Sequence, residues 1–148
     1  MKALTSLLTI PTLLLLAACG SDSQQTELPQ CDDEDVMELV HDIVKDEVKS
    51  QLFEVMLAQA GKSGEITYER AVEVKGRSTE LATVLDAVDE AVEQQDLQYS
   101  EIAQSSEDTA LQKVWCSANM MSPGGEKPAI INYTALYSGD DVEVLVTF

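Results

Sequence analysis

The chain is predicted to fold as an α+β domain, with N-terminal helices packed on one face of an antiparallel sheet of about four strands. Three observations predict it. Between Val36 and Val92 the apolar residues recur every three or four positions, the period of a buried helix face. Beyond Leu97 the period shortens to two, as in a half-buried strand. Turn residues divide that second half into four runs, and helices followed by a meander is the order of an α+β domain.

The first helix has the strongest pattern. Asp32 or Asp33 is placed to cap it, and Glu34 and Asp35 put carboxylates where the helix dipole favours them. Val36, Val40, Ile43, Val44, Val48, Leu52 and Val55 trace one face, which Met37, Phe53, Met56 and Leu57 widen. Gly61 stops it. Residues 65–75 read two ways. Ile66, Tyr68, Val72 and Val74 alternate like a strand, but Arg70 breaks the stripe, and Thr67 as a cap favours a short helix. A third helix opens at Ser78 or Thr79 and buries Leu81, Val84, Leu85, Val88 and Val92 before ending near Gln95.

Strands are expected at 97–104, 111–120, 129–137 and 142–148. Ser105 to Asp108 reads as the first turn, 121–128 as a loop, and Ser138-Gly139-Asp140-Asp141 as a hairpin. On the second strand Val114, Cys116, Ala118 and Met120 share a face opposite Leu111 and Trp115. Trp115 and Tyr133, on adjacent strands, read either as the lining of a groove or as packing against a helix, and core packing is the favoured reading. In element order alone the arrangement resembles cystatin-like or NTF2-like small domains, and no functional residue carries over from that likeness.

Ahead of the domain, Lys2 is followed by sixteen uncharged residues, Ala3 to Ala18, rich in leucine. The run is short for a membrane span, which needs about 20 apolar residues. It ends in Leu16-Ala17-Ala18-Cys19, which resembles the lipobox of bacterial lipoproteins. The chemistry suits the motif, because a thiol accepts a diacylglyceryl group as a stable thioether and small residues let a signal peptidase reach the preceding bond. The resemblance implies cleavage before Cys19, acylation of Cys19 and membrane attachment through its acyl chains. In that family's sorting rule Asp after the lipidated residue retains the protein in the inner membrane. Gly20 and Ser21 therefore resemble outer-membrane lipoproteins of Gram-negative bacteria, with the domain in the cell envelope and facing the periplasm.

The expected organisation is an export signal over 1–18, a lipidated tether over 19–30 and one domain over 31–148. The polar stretch Gly20 to Gln30 reads as a flexible leash with a reach of about 36 to 40 Å. Once Cys19 is acylated, Cys31 and Cys116 remain, and an even count in an oxidising compartment reads as a disulfide. It would close 86 residues, both ends counted.

Loss of Lys2 leaves eight cations against 27 acids, a formal charge of −19 on the mature chain. Such a field repels nucleic acid and anionic headgroups, so the acyl chains are the membrane partner and an envelope protein is the expected macromolecular one. No catalytic residue, metal site or cofactor is assigned. Asp32 to Asp35 reads as a helix N-terminus, since it lacks the alternating ligands of a calcium loop. Asp140, Asp141 and Glu143 read as a polar hairpin tip, and His41, the only histidine, as a boundary residue. No serine stands in a nucleophile motif, and carboxylates are too numerous for any pair to be picked out. These readings favour a non-catalytic binding module over a carboxylate-pair hydrolase or a small-ligand carrier.

Metabolic labelling with an acyl analogue should mark the wild-type protein, and Cys19→Ser should abolish the mark. A labelled serine variant would remove the lipobox reading.

Overall fold

A computed structural model of the chain describes residues 28–122 and 124–148; the expected export segment, Cys19 and the tether as far as Glu27 lie outside the described residues. Helices α1 (Glu34–Gln59), α2 (Tyr68–Val74) and α3 (Thr79–Glu93) come first, with a single 3-10 turn, Lys75–Arg77, between the last two. Strands β1 (Gln98–Asp108), β2 (Lys113–Met121), β3 (Ala129–Ser138) and β4 (Asp141–Thr147) follow. They form one antiparallel meander in the order β1-β2-β3-β4. The fold is α+β, with the helices N-terminal to the sheet.

Local chemistry explains the helix starts. Thr67 Oγ1 accepts from the Arg70 amide at 3.4 Å, so residues 68–74 form a helix and Arg70 points to solvent. Ser78 Oγ caps α3 by accepting from Leu81 N at 3.3 Å. At α1 the N-cap is Asp33, but its carboxylate accepts from Gln30 N at 2.8 Å, upstream of the helix. That bond turns the incoming chain toward the sheet.

Helix α1 spans two cores. Val36, Val40 and Val44 pack with Cys116, Ile131 and Tyr133 over the sheet, whereas Phe53 and Leu57 pack with Ala71, Leu85 and Val88 of α2 and α3. At 100° per residue, Val55 falls in line with Val44 and Val48, while the cover at its height comes from the side of Phe53 and Leu57. Val55, expected on the buried face, is accordingly 51% exposed.

Among the described residues, one face of the sheet is covered by α1 and the other is not. Val114, Cys116 and Ala118 of β2 and Ile131, Tyr133 and Ala135 of β3 point beneath α1. Alternation sends Trp115, Asn132, Thr134 and Leu145 to the other face. The expectation that Trp115 is core therefore fails, although that for Tyr133 holds. Strand β1 also continues through the expected turn at Ser105 to Asp108: Ser106, Glu107 and Asp108 pair with Trp115, Val114 and Lys113, while Ser105, at a register shift, has no Cα partner and donates its hydroxyl to the Trp115 carbonyl at 3.1 Å. The chain reverses one residue later, where Asp108 Oδ1 accepts from both Ala110 N and Leu111 N. Gln112 takes a positive φ of 48° there, and Leu111, expected in a strand, lies exposed in the turn.

Cys31 and Cys116 are at bonding distance, Sγ to Sγ 1.98 Å with Cα atoms 5.7 Å apart. Beside them Tyr133, opposite Cys116 in the β2–β3 register, donates its hydroxyl to the Cys31 carbonyl at 2.7 Å. Leu28 packs on the same core and Pro29 is buried, so the packed structure reaches three residues ahead of Cys31 into the expected leash.

Two outcomes follow. Replacing both Cys31 and Cys116 by Ser should lower stability by up to about 4.6 kcal/mol in urea unfolding, the chain-entropy limit for this loop; an unchanged midpoint would show that the cross-link constrains nothing. Burial pushes the Tyr133 and Tyr99 hydroxyls up to about 12. Above the unfolded value of about 10 the unfolded chain releases protons that the native one keeps, so stability should fall as pH rises through about 10 to 12. Tyr133→Phe should flatten that decline while costing about 1–3 kcal/mol at neutral pH, since the Cys31 carbonyl loses its donor.

Candidate functional site

The residues singled out by sequence are dispersed. Asp32 to Asp35 lie at the start of α1, and Asp140, Asp141 and Glu143 at the β3–β4 turn. His41 sits half-buried on α1 with its ring edge-on to Tyr99, centroids 5.9 Å apart, and the Tyr99 hydroxyl 3.4 Å from Nδ1. This is a packing pair at the rim of the sheet core. Among the described residues no group of three or more His, Cys, Asp or Glu is arranged to hold a metal ion. No described helix is long and apolar enough to cross a membrane.

A ligand-carrier pocket would be expected between helices and sheet. That space is filled by Val36, Val40, Val44, Cys116, Ile131 and Tyr133. Concavity occurs instead on the outer side of α1, in a shallow, open groove of about 680 Å³. One wall is a single stripe of α1, Ile43, Asp46, Glu47 and Ser50, spaced so that all four face the same way. The opposite wall is α2, with Tyr68, Glu69, Val72 and Glu73, and Phe148 closes one end. Val72 is 49% and Phe148 62% exposed, so the apolar part of the groove lies open among its acids. Burial raises the Tyr68 hydroxyl, with the nearby Asp89 carboxylate adding to it.

The ion pairs explain why the groove is acidic. Lys45 reaches Glu93 at 2.7 Å and Lys49 reaches Asp89 at 3.2 Å, while Lys62 and Lys75 bind Glu80 and Asp86. All four cations are drawn onto the acids of α3. Hydrogen bonding to Lys45 holds the Glu93 carboxyl below its ordinary value, and that to Asp86 raises Lys75. Arg70 pairs with Glu73 on its own helix. Asp46, Glu47 and Glu69 have no ion-pair partner among the described residues. Among the described residues the Glu47 side chain accepts only from the neutral Gln51 amide, at 2.8 Å.

The uncovered sheet face has a different chemistry. Trp115 is half-buried there, with Lys113 Nζ 5.0 Å from its ring centroid. Around it stand Ser117, Asn119, Asn132 and Thr134, with Ile130 and Leu145 70% and 64% exposed. These apolar side chains are separated by polar ones, as on the solvent side of many antiparallel sheets.

No protein-family model, curated protein or solved structure matches the chain.

Because Val72 and Leu145 are exposed and lie outside both cores, Val72→Ser and Leu145→Ser should each change unfolding free energy by no more than about 0.5 kcal/mol. Phe53→Ala, in the α2–α3 core, should cost about 3–5 kcal/mol in the same urea titration. A cost at Val72 equal to that at Phe53 would mean that the groove floor is part of the core.

Proposed function

We propose that this chain is a lipid-anchored accessory protein of the bacterial envelope that works by binding another envelope protein, with no catalytic step of its own. Acyl chains on Cys19 hold it to the membrane, in the outer membrane of a Gram-negative cell, and the domain faces the periplasm. Support for the location comes from Leu16-Ala17-Ala18-Cys19 and from the Cys31–Cys116 pair, which suits an oxidising compartment. One observation carries the binding reading: the groove between α1 and α2 leaves apolar side chains and unpaired carboxylates together at an open surface. Isolated apolar residues on a surface are ordinary; the binding reading rests on Val72 and Phe148 lying open in one concave surface beside unpaired carboxylates.

A carrier buries most of its ligand, about 70–90% of the ligand surface, and a shallow groove suits that poorly. A hydrolase reading would assign work to two of the groove acids.

A photo-crosslinking residue at position 72, in the full-length protein within intact envelopes, tests the proposal. It should yield an adduct of one discrete mass, identifiable by peptide sequencing, that is missing when the probe is at solvent-facing Glu38. Equal labelling at both positions, or none at either, would remove the binding reading.

A further inference from the structure

We infer that the α1–α2 groove docks a basic polypeptide segment, with Lys or Arg side chains over Asp46, Glu47 and Glu69 and one or two large apolar side chains against Val72 and Phe148. The inference rests on the binding-module reading above and names the partner's chemistry at that site. Charge complementarity carries it. Four lysines, Lys45, Lys49, Lys62 and Lys75, are paired with acids of α3, and the groove acids have no ion pair among the described residues except Glu73, which holds Arg70. Lys49 and Lys75, which act on Tyr68 at the groove edge, are held by Asp89 and Asp86. A cationic segment would therefore meet Asp46, Glu47 and Glu69 without displacing an ion pair among the described residues, in a chain that carries 27 acids against nine cations.

The apolar floor adds a second requirement. A purely cationic ligand such as a polyamine would satisfy Asp46, Glu47 and Glu69 but leave Val72 and Phe148 exposed to water. A segment with apolar residues between its cations covers both. The walls also suit a polypeptide: Ile43, Asp46, Glu47 and Ser50 span two turns of α1, about 10 Å, which matches two turns of a docked amphipathic helix. The groove is open along this length, so a segment of a larger protein can lie in it without being threaded.

Fluorescence anisotropy with the full-length protein in detergent tests this. The probes are a labelled peptide whose Lys and Leu residues fall on one helical face, a scrambled peptide of the same composition, an acidic counterpart and spermidine. The patterned basic peptide should bind, and its affinity should fall as salt is raised, because exposed charge pairs are screened. The pair Glu47→Lys and Glu69→Lys should weaken it about tenfold or more and create binding to the acidic peptide. The pair Val72→Ser and Phe148→Ala should weaken it with salt dependence retained, and Leu145→Ser on the sheet should leave it unchanged. Equal binding of the scrambled peptide, indifference to charge reversal, or full competition by spermidine would each overturn the inference, the last in favour of a small-cation site. The envelope crosslink separates the two levels. A discrete adduct at position 72 that survives charge reversal leaves the binding module standing without a basic partner, and loss of the adduct in the wild type removes both.

Discussion

Attachment of the chain just ahead of α1 to the middle of β2 is the constraint on which the rest of the structure depends. The helix enters over the sheet because Cys31 is bonded to Cys116, and the Tyr133 hydroxyl on the neighbouring strand holds the carbonyl of the same Cys31. Pro29 is buried beside this junction, and the Asp33 carboxylate turns back to bind Gln30 N. A covalent bond, a buried hydrogen bond and a reversed cap thus act on a few consecutive residues. They fix where α1 starts, and the four-residue spacing of Val36, Val40 and Val44 then fixes which side faces the sheet core, with β4 the strand nearest to the helix.

From that start the length of α1 determines the rest of the helical layer. Twenty-six residues reach well past the sheet core, and the second half needs a cover of its own. Helices α2 and α3 supply it through Ala71, Leu85 and Val88 around Phe53. The contact is reinforced at its rim by lysines of α1, of the loop after it and of the 3-10 turn, all reaching acids of α3. Surface ion pairs add little stability singly, and their larger effect here is on the charge map. With these four lysines bound to α3, the flank of α1 that faces α2 presents Asp46 and Glu47 beside Ile43, across from Val72. The groove is a by-product of how the second core is fastened.

Much of this was legible in the chain. Period three-to-four giving way to period two announced helices before a sheet, Thr67 and Ser78 announced two helix starts, and the cysteine count announced the bridge. What escaped was whatever depends on three-dimensional neighbours. Trp115 and Tyr133 look alike as strand aromatics; alternation along β2 sets Trp115 on the face opposite Cys116, and the β2–β3 register, which pairs Tyr133 with Cys116, puts Tyr133 inside. Ser105 to Asp108 carries turn residues, yet solvent-facing positions of an edge strand accept them, and the reversal waits for the Asp108 carboxylate to close it. Val55 continues an apolar stripe that has run out of sheet. The groove escaped for the same reason, since its two walls are separated in sequence and its acidity follows from ion pairs made elsewhere.

The open sheet face and the groove both expose apolar surface, but their physical states differ. On the sheet, Lys113 lies over Trp115, so the most polarisable ring already has a cation, and hydroxyl and amide side chains separate Ile130 from Leu145. Burying that face would require a partner to satisfy many neutral polar groups one by one, each at a cost if it is missed. In the groove the polar groups are carboxylates at the rim, which stay partly hydrated and tolerate inexact pairing, while the floor of Val72 and Phe148 gains simply by leaving water. An interface built on that division needs few directional bonds. Its charges set approach and selectivity and its apolar centre holds the complex, which is why a binding role for this domain is better placed between α1 and α2 than on the broader surface of the sheet.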